Sequence, residues 1–147
     1  MTAAQHAGDE AGIRQRVDQL VQAIRALDLE GVKPFYAPGI VSFDIVPPLQ
    51  HMGAEAKWKN WADVFTVYRR PLGYEICDLT ITVGEDVAFG HSLNRISGTL
   101  KSGNRTGYWV RWTGCFRKIG GTWLIVHDQV SVPLDVESGR ALLTLEP

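Results

Sequence analysis

Most of what is scarce in this sequence excludes a class of protein. Cys77 and Cys115 are the only two cysteines among 147 residues. They are too few and too far apart for a disulfide framework or a zinc site of the usual paired spacing, and they read as reduced thiols in a core or interface. No apolar run approaches the roughly 20 residues that a membrane helix needs. No charge of one sign prevails either, since 15 Lys and Arg face 16 Asp and Glu. Without a basic footprint, neither nucleic acid nor a membrane is an expected partner, and a small molecule is. Residues 1–10 are polar and carry no apolar stretch of the signal-peptide kind, so the cytoplasm is the expected location. No repeat, linker or low-complexity stretch divides the chain. What is left is an ordinary globular composition, 45% hydrophobic and 21% charged, in a chain of single-domain length.

The hydrophobic period carries the fold. From Asp9 onward Ile13, Val17, Leu20, Val21, Ile24 and Leu27 recur at three- and four-residue steps, opposite Arg14, Arg16, Asp18 and Arg25, which is an amphipathic helix. Residues 28–36 read as a short second helix capped by Asp28, and residues 40–46 as a strand ended by Pro47 and Pro48. A third helix over residues 53–68 carries Trp58, Trp61, Val64, Phe65 and Tyr68 on one broad face. The period then changes to two, and residues 74–83, 87–100, 104–119 and 122–133 are expected strands. The expected organisation is therefore a disordered start (residues 1–8), one α+β domain (9–133) and a loose tail (134–147).

Two tight turns predict which strand residues share a face. With Ser102-Gly103 and Gly120-Gly121 as central turn residues, His91 falls opposite Gly114, and Gly114 opposite His127. Phe89, Leu93, Arg95, Val110, Trp112, Phe116, Ile125, Gln129 and Ser131 share that face. The two imidazoles then flank a glycine across three strands, about 10 Å apart along the backbone. The other face, with Trp109, Leu124, Val126 and Val130, would expose enough apolar surface to call for a partner subunit, so a homodimer is expected.

The order of three helices before a curved sheet, with Asp28-Leu29-Glu30-Gly31 ahead of Phe35-Tyr36-Ala37, resembles the nuclear transport factor two-like superfamily. Val87-Ala88-Phe89, Phe116-Arg117-Lys118 and the run from Gly121 to His127 strengthen the likeness, which is nearest to its SnoaL-like, ketosteroid isomerase-related members. The resemblance implies a cone-shaped barrel in which three N-terminal helices pack on a curved antiparallel or mixed sheet, with an apolar cavity between them and often a homodimer. It also implies a general base at Asp44, where the isomerases carry an aspartate. Their oxyanion donors would fall on Leu20 and Gly114, neither of which can donate a side-chain hydrogen bond. Losing one such donor typically costs about 10²- to 10³-fold in rate, so steroid isomerisation by that mechanism is not expected.

Three readings of the pocket follow. In the first, a cofactor-free isomerase, cyclase or dehydratase uses Asp44 as base on an apolar carbonyl compound, with His127 or His91 serving the resulting enolate. In the second, the pocket only binds, or the domain only associates; Trp58, Trp61, Phe65 and Trp112 supply the surface around Gly114, and His127 and Gln129 orient the ligand. The third joins His91, His127 and Asp44 as a facial set for a divalent metal. Neither of the first two needs a metal or other cofactor.

Overall fold

The computed structural model describes residues 2–147; Met1, the first residue of the expected disordered start, lies outside the described residues. Helix α1 (Ala3–Arg25) begins at Ala3 rather than at Asp9. The reason is a capping box, in which Thr2 Oγ1 accepts the Gln5 amide at 3.1 Å and Gln5 Oε1 accepts the Thr2 amide at 2.6 Å. Asp9 fixes this first half of the helix to the sheet, since its carboxylate accepts Trp123 Nε1–H and the Lys118 ammonium, both at 3.2 Å. The Trp123 bond in particular holds the Asp9 carboxyl below its ordinary pKa. On the other side, Ile13, Val17, Leu20, Val21 and Ile24 form the buried stripe that the spacing predicts.

Asp28 caps α2 (Leu29–Val32) by accepting the Gly31 amide, and a 3-10 turn (Lys33–Phe35) leads into β1 (Tyr36–Phe43). The strand therefore starts earlier than residue 40 and ends before Asp44. After β2 (His51–Met52) and α3 (Ala54–Val67) come the four long strands β3 (Gly73–Val83), β4 (Val87–Thr99), β5 (Arg105–Ile119) and β6 (Thr122–Ser131). They form an open sheet in the order β2-β1-β6-β5-β4-β3, antiparallel except where β1 runs parallel to β6. The result is an α+β, cone-like fold with a mixed sheet under three helices. The expected loose tail contains a small hairpin, β7 (Leu134–Asp135) and β8 (Arg140–Ala141), turned at Gly139 with φ 72°.

Both sheet registers differ from the sequence expectation by one residue, for two separate reasons. The β4–β5 loop holds three residues rather than two: Leu100 donates to Asn104, and Gly103 turns the chain at φ 99°. His91 therefore pairs with Thr113, and Gly90 with Gly114. The Gly120-Gly121 turn is two residues, as expected, and pairs Ile119 with Thr122. Farther along, a bulge at Val126 lets Phe116 pair with Ile125 but Cys115 with His127, which puts Asp128 opposite Gly114.

These shifts re-sort the faces. The face toward the helices carries Ser92, Asn94 and Ile96 of β4, Val110, Trp112 and Phe116 of β5, and Ile125 and Asp128 of β6, all buried. His91, Trp109 and Leu124 look outward. Val130, expected on the outer face, packs against the core instead. Gly114 faces inward as well, but it leaves no open space. A Cβ added there would collide with the indole of Trp112, which lies across the glycine. Gly114→Ala should therefore cost about 1–3 kcal/mol by overpacking, read as a lower urea midpoint, whatever the cavity does.

Candidate functional site

Helix α3 lays Ala54, Lys57, Trp61 and Val64, at alternating three- and four-residue steps, along one inward side. One member of that stripe is a lysine. The Lys57 side chain is 3% exposed, and its ammonium lies 3.0 Å from Asp128 Oδ2 and 3.4 Å from Asp44 Oδ2. It also donates to Ser42 Oγ at 3.3 Å, and Ser42 in turn donates to Asp128 Oδ1. Burial by itself would lower the Lys57 pKa, but the opposing carboxylates, Asp128 first, outweigh it and hold the amine above its ordinary range. Asp44 sits just past the end of β1. Its Oδ2 accepts Asn60 Nδ2–H at 3.0 Å, and its Oδ1 accepts the Ile45 amide at 2.7 Å.

Asp44, Lys57 and Asn60 of this cluster line a cleft of about 620 Å³ between α3, the 44–51 segment and the inner sheet face. The walls are mostly apolar, with Ile45, Val46, Pro48 and Val64 on one side and Ile96, Val110 and Val130 on the other. His51, at the rim, is buried and donates Nε2–H to the Val46 carbonyl at 3.1 Å. Behind the cleft lies a small inner cavity of about 30 Å³. Lys57, Trp61, Tyr74 and Val130 line both spaces and form the neck between them. The Tyr74 hydroxyl accepts Asn94 Nδ2–H at 2.9 Å, and the Tyr36 hydroxyl accepts Trp61 Nε1–H at 2.7 Å. Burial pushes the Tyr74 phenol up to about 12 and Tyr36 higher still, so both are neutral hydroxyls across the physiological range.

The structure brings together only part of the residue set expected from sequence. Asp44 and Trp61 line the cleft, and Trp112 lines the inner cavity. Trp58 and Phe65 pack against the core and line neither space; the Lys33 ammonium lies 5.0 Å above the Trp58 ring. Gly114 is covered by Trp112. His91, His127 and Gln129 all point out of the far side of the sheet, because of the longer β4–β5 loop and the β6 bulge. His127 there donates Nδ1–H to the Val41 carbonyl at 2.6 Å and stacks edge-on with Phe43. The two imidazoles therefore do not converge over Gly114. They also form no facial set with Asp44: among the described residues no three His, Cys, Asp or Glu side chains are grouped to hold a metal ion.

Lys57, Asp128, Tyr36, Tyr74 and Asn94 are the site residues that sequence reasoning missed. For Lys57 a signal existed, since it occupies an apolar-stripe position of α3. Asp128 gave none, because simple alternation from Ile125 puts it on the outer face.

An α+β cone with a deep cleft between its helices and sheet defines the nuclear transport factor two-like class of domain. Within that class the chain belongs to the SnoaL-like family, whose domain model matches residues 13–135. It is 31% identical to an NTF2-like protein of unknown function from Pseudomonas putida KT2440, over 100% of this chain and 99% of that one, with a TM-score of 0.85. The same fold recurs in a ketosteroid isomerase-like protein from Erwinia carotovora atroseptica, at 22% identity over 82% of this chain and 93% of that one, TM-score 0.69. It recurs again in the association domain of C. elegans CaMKII, at 15% identity over 87% and 98% of the two chains, TM-score 0.67. Among curated proteins, none matches the chain. No helix among the described residues is long and apolar enough to cross a membrane.

Two outcomes follow from the buried charges and phenols. Lys57→Met leaves Asp128 unpaired in an apolar enclosure and should cost about 3–5 kcal/mol in urea unfolding at neutral pH. Adding Asp128→Asn should recover part of that loss, because the orphaned charge is gone. The tyrosines give a pH dependence. A phenol whose folded pKa lies above its unfolded value stabilises the fold fully below pH 10, and that contribution is lost as pH rises through the folded pKa. Ultraviolet titration should find Tyr36 and Tyr74 protonated well past pH 10, ionising only as the fold opens.

Proposed function

We propose that the cleft receives a small, largely apolar molecule bearing a carbonyl group, and that Asp44 is the general base of a cofactor-independent proton transfer there, of the isomerase, cyclase or dehydratase kind. The observation that carries this reading is the Asp44 carboxylate set beside the buried Lys57 ammonium in a mostly apolar cleft of about 620 Å³. Clefts of that volume suit drug-sized ligands.

In the simplest case, an isomerisation, an Asp44 oxygen takes the proton from the carbon next to the carbonyl. The C–H electron pair becomes a carbon–carbon π bond, and the carbonyl oxygen takes the negative charge. In a ligand that already carries a double bond one carbon further on, the carboxylic acid so formed returns its proton to the far end of that bond; the double bond moves into conjugation, the carbonyl re-forms, and nothing is oxidised or consumed. Lys57 serves both halves of the step, because its positive charge stays in place while the negative charge moves from the carboxylate to the ligand oxygen. The outward-pointing histidines take no part.

A second reading, a binding or association module, has its own support. The Asp44 oxygens already accept hydrogen bonds from Asn60, Lys57 and the Ile45 amide, which suits a carboxylate held as a structural partner. The domain of that fold from C. elegans CaMKII is an association domain. A bicyclic ketone such as 2-tetralone, incubated with the protein in deuterium oxide, separates the two by NMR. Catalysed exchange of its α-protons, falling about 10²- to 10⁴-fold in Asp44→Asn while affinity changes only a few-fold, is the expected result. Tetralone that binds without faster exchange would leave the binding module in its place.

The same reading includes a homodimer formed through the outer sheet face, where Phe89 is half exposed and Trp109 and Leu124 also look outward. Sedimentation at micromolar concentration should give the dimer mass, and Phe89→Lys should shift it toward the monomer. A wild-type protein that sediments only as monomer would remove the dimer.

A further inference from the structure

Tyr36 and Tyr74 share an arrangement that the proton transfer at Asp44 does not require. Each phenol oxygen uses its acceptor side on a fixed neighbour, Trp61 Nε1–H for Tyr36 and Asn94 Nδ2–H for Tyr74. Asn94 is itself fixed, because its Oδ1 accepts the Ser92 hydroxyl at 2.6 Å. A phenol oxygen that accepts on one side still has an O–H to give. Among the described residues neither O–H finds a protein acceptor, yet both side chains are more than nine-tenths buried. Both line the inner cavity of about 30 Å³, and so does Asp128, whose oxygens face Ser42 and Lys57 and keep lone pairs to spare. About 10–15 Å³ of such space holds a water, provided two to four polar groups receive it. Here the valences match, with two donors and one acceptor around a space too small for a ring.

Charge narrows the choice further. The enclosure already holds two carboxylates, Asp44 and Asp128, against the single ammonium of Lys57. A third negative charge brought in with a ligand would be repelled at short range with little water to screen it.

We propose that the inner cavity is a subsite for one neutral oxygen, received by the Tyr36 and Tyr74 hydroxyls: a water in the free protein, and the carbonyl or hydroxyl oxygen of a ligand in the complex. Carboxylate ligands are rejected. This rests on the reading of the cleft as a small-molecule site, and it deepens that reading by fixing the ligand's head group as uncharged.

The test uses 2-naphthol, 2-naphthoate and naphthalene as probes, with affinities from calorimetry at neutral pH and a crystal structure of the free protein. Naphthol should bind at least tenfold more tightly than naphthoate. Its advantage over naphthalene should shrink by about tenfold in the Tyr36→Phe/Tyr74→Phe variant, the scale of one or two lost hydrogen bonds. If the double variant fails to fold, each single variant should show part of that loss. The free protein should hold an ordered water in contact with both hydroxyls. Equal affinity for naphthoate and naphthol, or a naphthol advantage unchanged by the tyrosine variants, would overturn the subsite. Should no probe bind, the small-molecule reading of the cleft falls on its own, and the water then decides: its presence upholds the oxygen site and a dry cavity overturns it.

Discussion

The rest of the structure is arranged around an ammonium group with almost no access to water. Taking a lysine charge out of solvent costs several kcal/mol even after the protein relaxes, and a neighbouring carboxylate returns that cost only when the geometry is close. Lys57 meets the condition by lying within salt-bridge distance of two carboxylates that arrive from different strands, Asp44 just past the end of β1 and Asp128 in β6. Helix α3 therefore cannot slide or rotate on the sheet without separating charges, and the cleft beside it inherits a fixed polar end. Ser42, with no exposed surface, completes the cluster by linking the ammonium and Asp128.

From that cluster the cleft has a direction. Its far walls are aliphatic, its neck includes Trp61 and Tyr74, and behind it the Tyr36 phenol is fixed by Trp61 and the Tyr74 phenol by Asn94. The small cavity that they line is closed on its other side by Val17, Leu20, Val21 and Ile24 of the α1 stripe. The solved structures that share the fold include an isomerase-like protein and an association domain. The scaffold alone thus leaves the chemistry open, and the side chains at the polar end have to carry the argument.

Much of this was legible in the sequence. The helices, the long strands and the class of fold follow from periodicity and motif order, and the placement of Asp44 at the pocket is what the resemblance to the ketosteroid isomerase-related proteins implies. The polar half of the site did not follow, for physical reasons that can be named. A loop of three residues instead of two moved His91 off the face of Gly114, and one extra residue at Val126 exchanged His127 for Asp128 as the inward-facing group. Alternation is a rule of period two, so a single uncounted residue inverts everything beyond it. Lys57 was visible at a stripe position of α3, but a lysine among apolar neighbours reads as a surface residue until a partner charge is known, and that charge lay behind the bulge.

The bulge at Val126 therefore acts as a phase shifter for the last long strand. Upstream of it the strand presents one set of side chains to the helices, and downstream it presents the complementary set. A chain that kept every residue type but gained or lost one residue in β6 would keep its core at Ile125 and lose the partner of Lys57. Within such a scaffold, pocket chemistry can be rewritten by insertions and deletions of single residues as readily as by substitutions. Two relatives with the same pocket-lining letters in an alignment can still point different groups at their ligands.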